Sequence, residues 1–149
     1  MTEAPFLAPS VAAGQLLLPM FLHFGLVVGL YVALTGARLV TVRRGEATKD
    51  AFARADGDAP LSARFQRNLA NQFEAPVFAW IGAFVLILAD HVTAWDVAAG
   101  WVFLIGRVLH TAVQCSGDNV ALRGQVFTIN FLGVLWLMGH AFLAVLGAV

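Results

Sequence analysis

Apolar residues run along this chain in four long blocks, and polar residues gather both between the blocks and inside them. The first block extends from about Val11 to Ala37. The second contains the uninterrupted run Val77 to Ala89. The third extends from about Trp95 to Val113 and the fourth from about Val126 to Val149. A membrane-spanning helix needs roughly 20 mostly apolar residues. The second run has only 13, so a crossing there must draw on the polar stretch before it. The pattern predicts helices over about 11–38, 62–90, 95–115 and 123–148, with a polar loop over 39–60. That is an all-α integral membrane protein, a four-helix bundle forming one domain over residues 1–149. Pro60, after Asp56-Gly57-Asp58, suits the first turn of the second helix. Pro76 removes a backbone donor and should kink that helix.

Composition agrees. The chain is 60% hydrophobic and only 12% charged, whereas a soluble domain is nearer one quarter charged. A net charge of zero gives no reason to expect a nucleic-acid partner. Cys115 is the only cysteine, so no disulfide forms within the chain. The opening MTEAPFLAPS has no basic stretch before its apolar run and is not expected to be a cleaved signal peptide.

Charge placement sets an expected topology. Seven of the nine Lys and Arg residues lie from Arg38 to Arg67, and Arg123 sits in the third connection. The second connection, Asp90 to Asp96, contains none. By the positive-inside rule the first and third connections face the cytoplasm and both termini lie on the other side. The abundance of Ala, Val and Gly points to a bacterial inner membrane.

The polar residues inside the apolar blocks carry the chemistry. Arg67, Asn71 and Glu74 are spaced i, i+4, i+7, one face of a helix, with Arg64 a turn earlier. Arg107, His110 and Gln114 are spaced i, i+3, i+7 on the third helix, and Arg123 opens the fourth. Glu74 could simply pair with Arg67 or Arg107 and lock the helices, and single arginines near helix ends snorkel to headgroups. Several arginines against one carboxylate, facing inward, instead call for an anion. Arginine forks suit a small ligand with several carboxylates. They equally suit a thiolate, whose pKa a neighbouring cation lowers. No metal site is expected.

These residues resemble the MAPEG family, the membrane-associated proteins of eicosanoid and glutathione metabolism. That family carries R-x-x-R-A-x-x-N-x-x-E at the start of its second helix. Here the stretch reads Arg64-Phe65-Gln66-Arg67-Asn68-Leu69-Ala70-Asn71-Gln72-Phe73-Glu74. The third-helix GRVLH, Gly106 to His110, is similar too, as is the spacing from Arg107 to Arg123. The resemblance implies a homotrimer among membrane lipids, with glutathione bound between subunits near the cytoplasmic side. It implies that Arg67, Asn71 and Glu74 hold the polar ends of glutathione, with Arg64 beside them. Arg107, His110 and Gln114 would line the same pocket, Arg123 would stabilise the thiolate, and Arg38 would match a carboxylate-binding arginine. The implied reaction transfers glutathione to a lipophilic small-molecule electrophile or reduces a lipid peroxide. Gln114 and Phe127 stand where family enzymes often have tyrosines, and the sole tyrosine is Tyr31.

Two other classes stay open. One is a non-catalytic module that keeps the fold to bind a ligand or a protein. The other is an electron-transfer module holding haem between His23 and His140, whose depths could match. Lone helical histidines more often bond a neighbouring helix. Gly25, Gly29, Gly82, Gly133 and Gly139 read as close-packing positions, Trp95 and Trp101 as an outer interfacial belt, and Cys115 as a small packing residue.

Overall fold

The computed structural model describes residues 11–117 and 119–148. The first ten residues, on which the signal-peptide expectation bears, lie outside them. Helix α1 spans Val11–Arg43, α2 Pro60–Ala70, α3 Ala75–Leu88, α4 Ala94–Ser116 and α5 Val120–Val145. Four stretches are long and apolar enough to cross a membrane: α1, the combined Pro60–Leu88 segment, α4 and α5. At 33 residues, α1 is about 50 Å long, more than a hydrocarbon core of about 30 Å requires. That length leaves room for Arg38 and Arg43, on its last turns, to stand outside such a layer.

Local chemistry fixes the helix ends. Gly45, at φ 71°, stops α1. Its N–H donates to the Val42 carbonyl and the Glu46 N–H to the Thr41 carbonyl, the paired bonds of a left-handed helix terminus. Asp90, at φ 56°, ends α3 in the same way through bonds from Asp90 to Ile87 and from His91 to Leu86. Thr93 and Asp96 form a reciprocal capping box at the start of α4. The Asn119 side chain accepts from the Leu122 N–H to cap α5.

The second span is the exception. Sequence pattern predicts one helix over 62–90, and the structure breaks it. Pro60 takes the first position of α2, where its missing donor costs nothing. A 3-10 turn follows at Asn71–Phe73, and Glu74 sits at φ −100°, ψ −114° before α3 starts. Pro76 is the cause: it cannot donate to the Gln72 carbonyl, and its ring would collide with that carbonyl in a continuous helix.

The buried stripe of the second span then reads Leu69, Gln72, Pro76, Ala79, Gly82, Ala83 and Leu86, in steps of three and four. Its outward face is the more apolar, with Phe73, Phe78, Ile81, Phe84 and Leu88 exposed. An inward face of small and polar residues is what lipid as solvent allows, because burying large apolar groups there gains little.

Glycines set the tightest helix contacts. A Cβ at Gly106 would lie 2.4 Å from the Asn130 backbone nitrogen, joining α4 to α5. One at Gly133 would lie 2.7 Å from the Ala99 carbonyl oxygen, and one at Gly82 would lie 2.8 Å from the Leu137 backbone. Gly82 and Gly133 thus pack as expected. Gly25, Gly29 and Gly139 meet no helix of their own subunit: among the described residues nothing lies within 4 Å of a Cβ at any of them, and all three face outward.

Two apolar clusters result. One joins Leu16, Met20, Ala83, Leu86, Phe103 and Leu137; the other joins Val27, Leu30, Leu34 and Leu69, with Cys115 packed against it. Chain order on α1 puts His23 between the clusters, and on the second span puts Gln72 there. The middle of the bundle is a polar layer.

Outside the spans, the 44–59 connection is pinned by Arg38. Its Nε and Nη2 donate to the two Asp58 carboxylate oxygens at 2.8 and 2.6 Å, and its guanidinium lies 4.9 Å over the Phe52 ring. The hydrogen bonds from Arg38 hold the Asp58 carboxyl below its usual range against the opposing effect of partial burial.

Gly106→Val should destabilise the bundle by about 1–3 kcal/mol or more, since backbone is the obstacle. Gly25→Val should leave thermal unfolding in detergent nearly unchanged, and equal effects would refute the packing argument. The lowered carboxyl of Asp58 has a definite sign. Its stabilising contribution is complete above the unfolded-state value of about 3.9 and is lost as pH falls through the lower folded-state value. Hydrogen-exchange protection of residues 49–58 should therefore hold down to about pH 4 and fall below it. In Asp58→Asn that protection should be weak at every pH.

Candidate functional site

The polar layer is built from α1, α2, the 3-10 turn, α3 and α4, with Gln72 at its hub. The Trp80 indole N–H donates to His23 Nδ1 at 3.2 Å. That nitrogen is therefore unprotonated, and His23 Nε2 carries the hydrogen that goes to Gln72 Oε1 at 3.0 Å. The same Gln72 oxygen accepts from Arg107 Nε at 3.1 Å. The Gln72 amide nitrogen donates to Asn68 Oδ1 at 2.9 Å and reaches Thr111 Oγ1 at 3.4 Å. Thr111 in turn donates to Asn68 Oδ1 at 3.1 Å. The Asn68 and Asn71 amides both donate to Gln114 Oε1, at 3.0 and 3.1 Å.

Arg107 is the anomaly in this layer. It is fully buried, at 0% exposure, and its bonded neighbours are oxygens of neutral groups: Gln72 Oε1 and, at 3.4 Å, the Asn71 carbonyl. Its Nη1 has no hydrogen-bond partner among the described residues. His110, one turn on and 3% exposed, likewise leaves Nδ1 without a partner, and its ring meets Phe127 edge-on at 5.9 Å. A buried donor without an acceptor is costly, more so on a cation. Such groups mark places where another acceptor belongs.

The expected site residues divide into three groups. Asn71, Arg107, His110 and Gln114 come together in or against the polar layer. Arg67 and Glu74 instead face out of the subunit, and both are exposed. Arg64 and Arg123 are half-buried, Arg123 on the first turn of α5. Arg38 stands apart, its fork filled by Asp58. His23 commits both ring nitrogens to Trp80 and Gln72, leaving no lone pair for an iron.

A model of the MAPEG family matches residues 16–143. The chain belongs to the MAPEG family. No curated protein and no solved structure matches it. Family membership and the four spans make it an integral membrane protein of the glutathione and eicosanoid metabolism family.

Within this MAPEG protein, sequence reasoning passed over Asn68, Gln72, Thr111 and Trp80 as site residues. Asn68 stands where the family motif has alanine, and it bridges α2 to α4. A signal was present: Gln72 falls on the stripe of Leu69, Ala79 and Leu86, which in lipid is the inward one.

The hub role is testable. Gln72→Leu would strip partners from Arg107, His23 and Asn68, and should lower stability in detergent by about 1–3 kcal/mol. Gln72→Glu, which keeps an acceptor toward Arg107, should lose less. If the two variants melt alike, Gln72 is not the hub.

Proposed function

We propose that this MAPEG protein binds glutathione beside its polar layer. There it transfers the tripeptide to a lipophilic electrophile or uses it to reduce a lipid peroxide. The observation that carries the reading is the fully buried Arg107 guanidinium with Nη1 unpartnered, next to an outward Arg67–Glu74 face that one subunit leaves uncovered. Glutathione offers two carboxylates and one ammonium. Arg67 and Glu74 suit its zwitterionic end, and Asn71, with Arg64 nearby, suits its amides and carboxylates.

Charges as deep as Glu74 are rare on a lipid-facing surface. That supports a homotrimer, with the neighbouring subunit closing the site. The concentration of arginines near this end supports a cytoplasmic orientation and an inner-membrane location, so glutathione arrives from water. The lipophilic substrate arrives from the bilayer. A groove of about 370 Å³ along α1 and α3 suits it: Phe24, Val27, Val77 and Phe84 form its walls, and His23 and Gln72 reach it from the polar layer.

Arg123 would favour the glutathione thiolate by charge. In conjugation the thiolate attacks carbon, a carbon–sulfur bond forms, and the leaving group departs with its electron pair. In the peroxidase reaction the thiolate attacks the terminal peroxide oxygen, the O–O bond breaks, and the alkoxide leaves with the electron pair and takes a proton from water, giving the alcohol and a glutathione sulfenic acid. A second glutathione then attacks that sulfur, releasing water and leaving glutathione disulfide.

A non-catalytic module is the second reading. Gln114 is held by Asn68 and Asn71, and Phe127 is stacked on Phe131 at 5.6 Å, so neither position offers a hydroxyl to a thiolate.

Calorimetric titration of glutathione into detergent-purified protein tests the proposal. Saturable binding is expected, weakened by about 1–3 kcal/mol in Arg67→Ala and in Glu74→Ala, which is roughly 5- to 150-fold. No binding at millimolar glutathione to folded protein would overturn the glutathione reading. Binding without turnover of any electrophile or peroxide would favour the non-catalytic module.

A further inference from the structure

A second polar cluster lies at the other end of the bundle, where α4 begins and α5 nears its end. Asp96 is fully buried. Its Oδ2 accepts from the Thr93 N–H and the Thr93 hydroxyl, both at 2.7 Å. Its Oδ1 accepts from the Trp136 indole N–H at 3.0 Å and faces His140 Nδ1 at 2.8 Å. Two neighbours on each oxygen fill the acceptor capacity of a carboxylate.

The pair has a directional consequence. A carboxylate oxygen at 2.8 Å fixes the imidazole hydrogen on Nδ1. In the neutral ring Nε2 then holds a lone pair, and no hydrogen bond engages it among the described residues. His140 also lines a groove of about 390 Å³ on the outer face of α5, otherwise formed by Leu135, Trp136, Gly139 and Leu143. A staple between α4 and α5 needs only the Asp96–Trp136 bond. Adding His140 leaves an imidazole nitrogen without a partner on an apolar groove, which is unfavourable unless something donates to it.

We propose that this groove is a second binding site, separate from the polar layer, for a lipid-soluble phenol-type ring bearing a free hydroxyl. The hydroxyl would donate to His140 Nε2, Asp96 would hold the imidazole in the accepting tautomer, and the ring would lie against Trp136. An aromatic wall favours a flat ring, and a lone-pair acceptor favours an O–H donor over an ether or ester. Gly139 leaves room, since nothing lies within 4 Å of a Cβ there.

The test uses the full chain in phosphatidylcholine vesicles with ring-brominated nonylphenol, whose bromine quenches tryptophan at close range. Saturable quenching is expected. The methyl ether of the same compound should bind more weakly by about ten-fold, the effect of one lost hydrogen bond. His140→Phe should show the same loss. Gly139→Phe fills the groove without touching Asp96 and should abolish saturable quenching, so the proposal stays testable if His140→Phe fails to fold. Equal quenching by phenol and ether, or unchanged quenching in Gly139→Phe, would overturn it and leave a groove occupied only by lipid acyl chains.

Discussion

A guanidinium closed off from solvent and bonded only to neutral amide oxygens is the constraint around which the rest of this bundle is arranged. In hydrocarbon an unsolvated cation is tolerated only where oxygens surround it. Arg107 meets that condition in part, through Gln72 at Nε and the Asn71 carbonyl at Nη2, with Nη1 left over, and Gln72 can serve only because His23, Asn68 and Thr111 hold it in turn. These partners come from α1, α2 and α4, so one amide side chain ties three of the four spans. The apolar clusters above and below supply shape, and the polar layer supplies register: Leu can slide past Leu, but an amide whose four sites are assigned cannot shift a turn without losing them.

The membrane class and the number of spans were legible because they depend on bulk hydropathy over long windows. The family was legible because Arg64, Arg67, Asn71 and Glu74 stand at fixed intervals. The break at Asn71–Phe73 was only half legible. Pro76 announces a disturbance, but whether a proline bends a helix or splits it depends on what neighbouring spans offer the freed carbonyls. That offer is tertiary, and Arg107, whose Nη2 donates to the Asn71 carbonyl at 3.4 Å, is part of it.

The site was legible in composition more than in arrangement. Even spacing suggested that Arg67, Asn71 and Glu74 turn inward beside Arg107. The structure turns Asn68 and Gln72 inward and leaves Arg67 and Glu74 on the outer face. The reason is inverted amphipathicity: the inner stripe is marked by small and polar residues, and in this span the polar residues occupy both faces. Arg38 differs from the others in its setting: its fork meets a carboxylate contributed by its own loop, Asp58, which no periodicity connects to it.

The division of the second span also bears on how the membrane is crossed. At 14 residues, α3 is about 21 Å long, short of a hydrocarbon core of about 30 Å. The missing length is α2, whose Asn68 finds its hydrogen-bond partners on α4, a helix synthesised later. The second crossing is therefore completed by a segment whose polar side chains are satisfied on the third: Asn68 donates to Gln114 and accepts from Thr111.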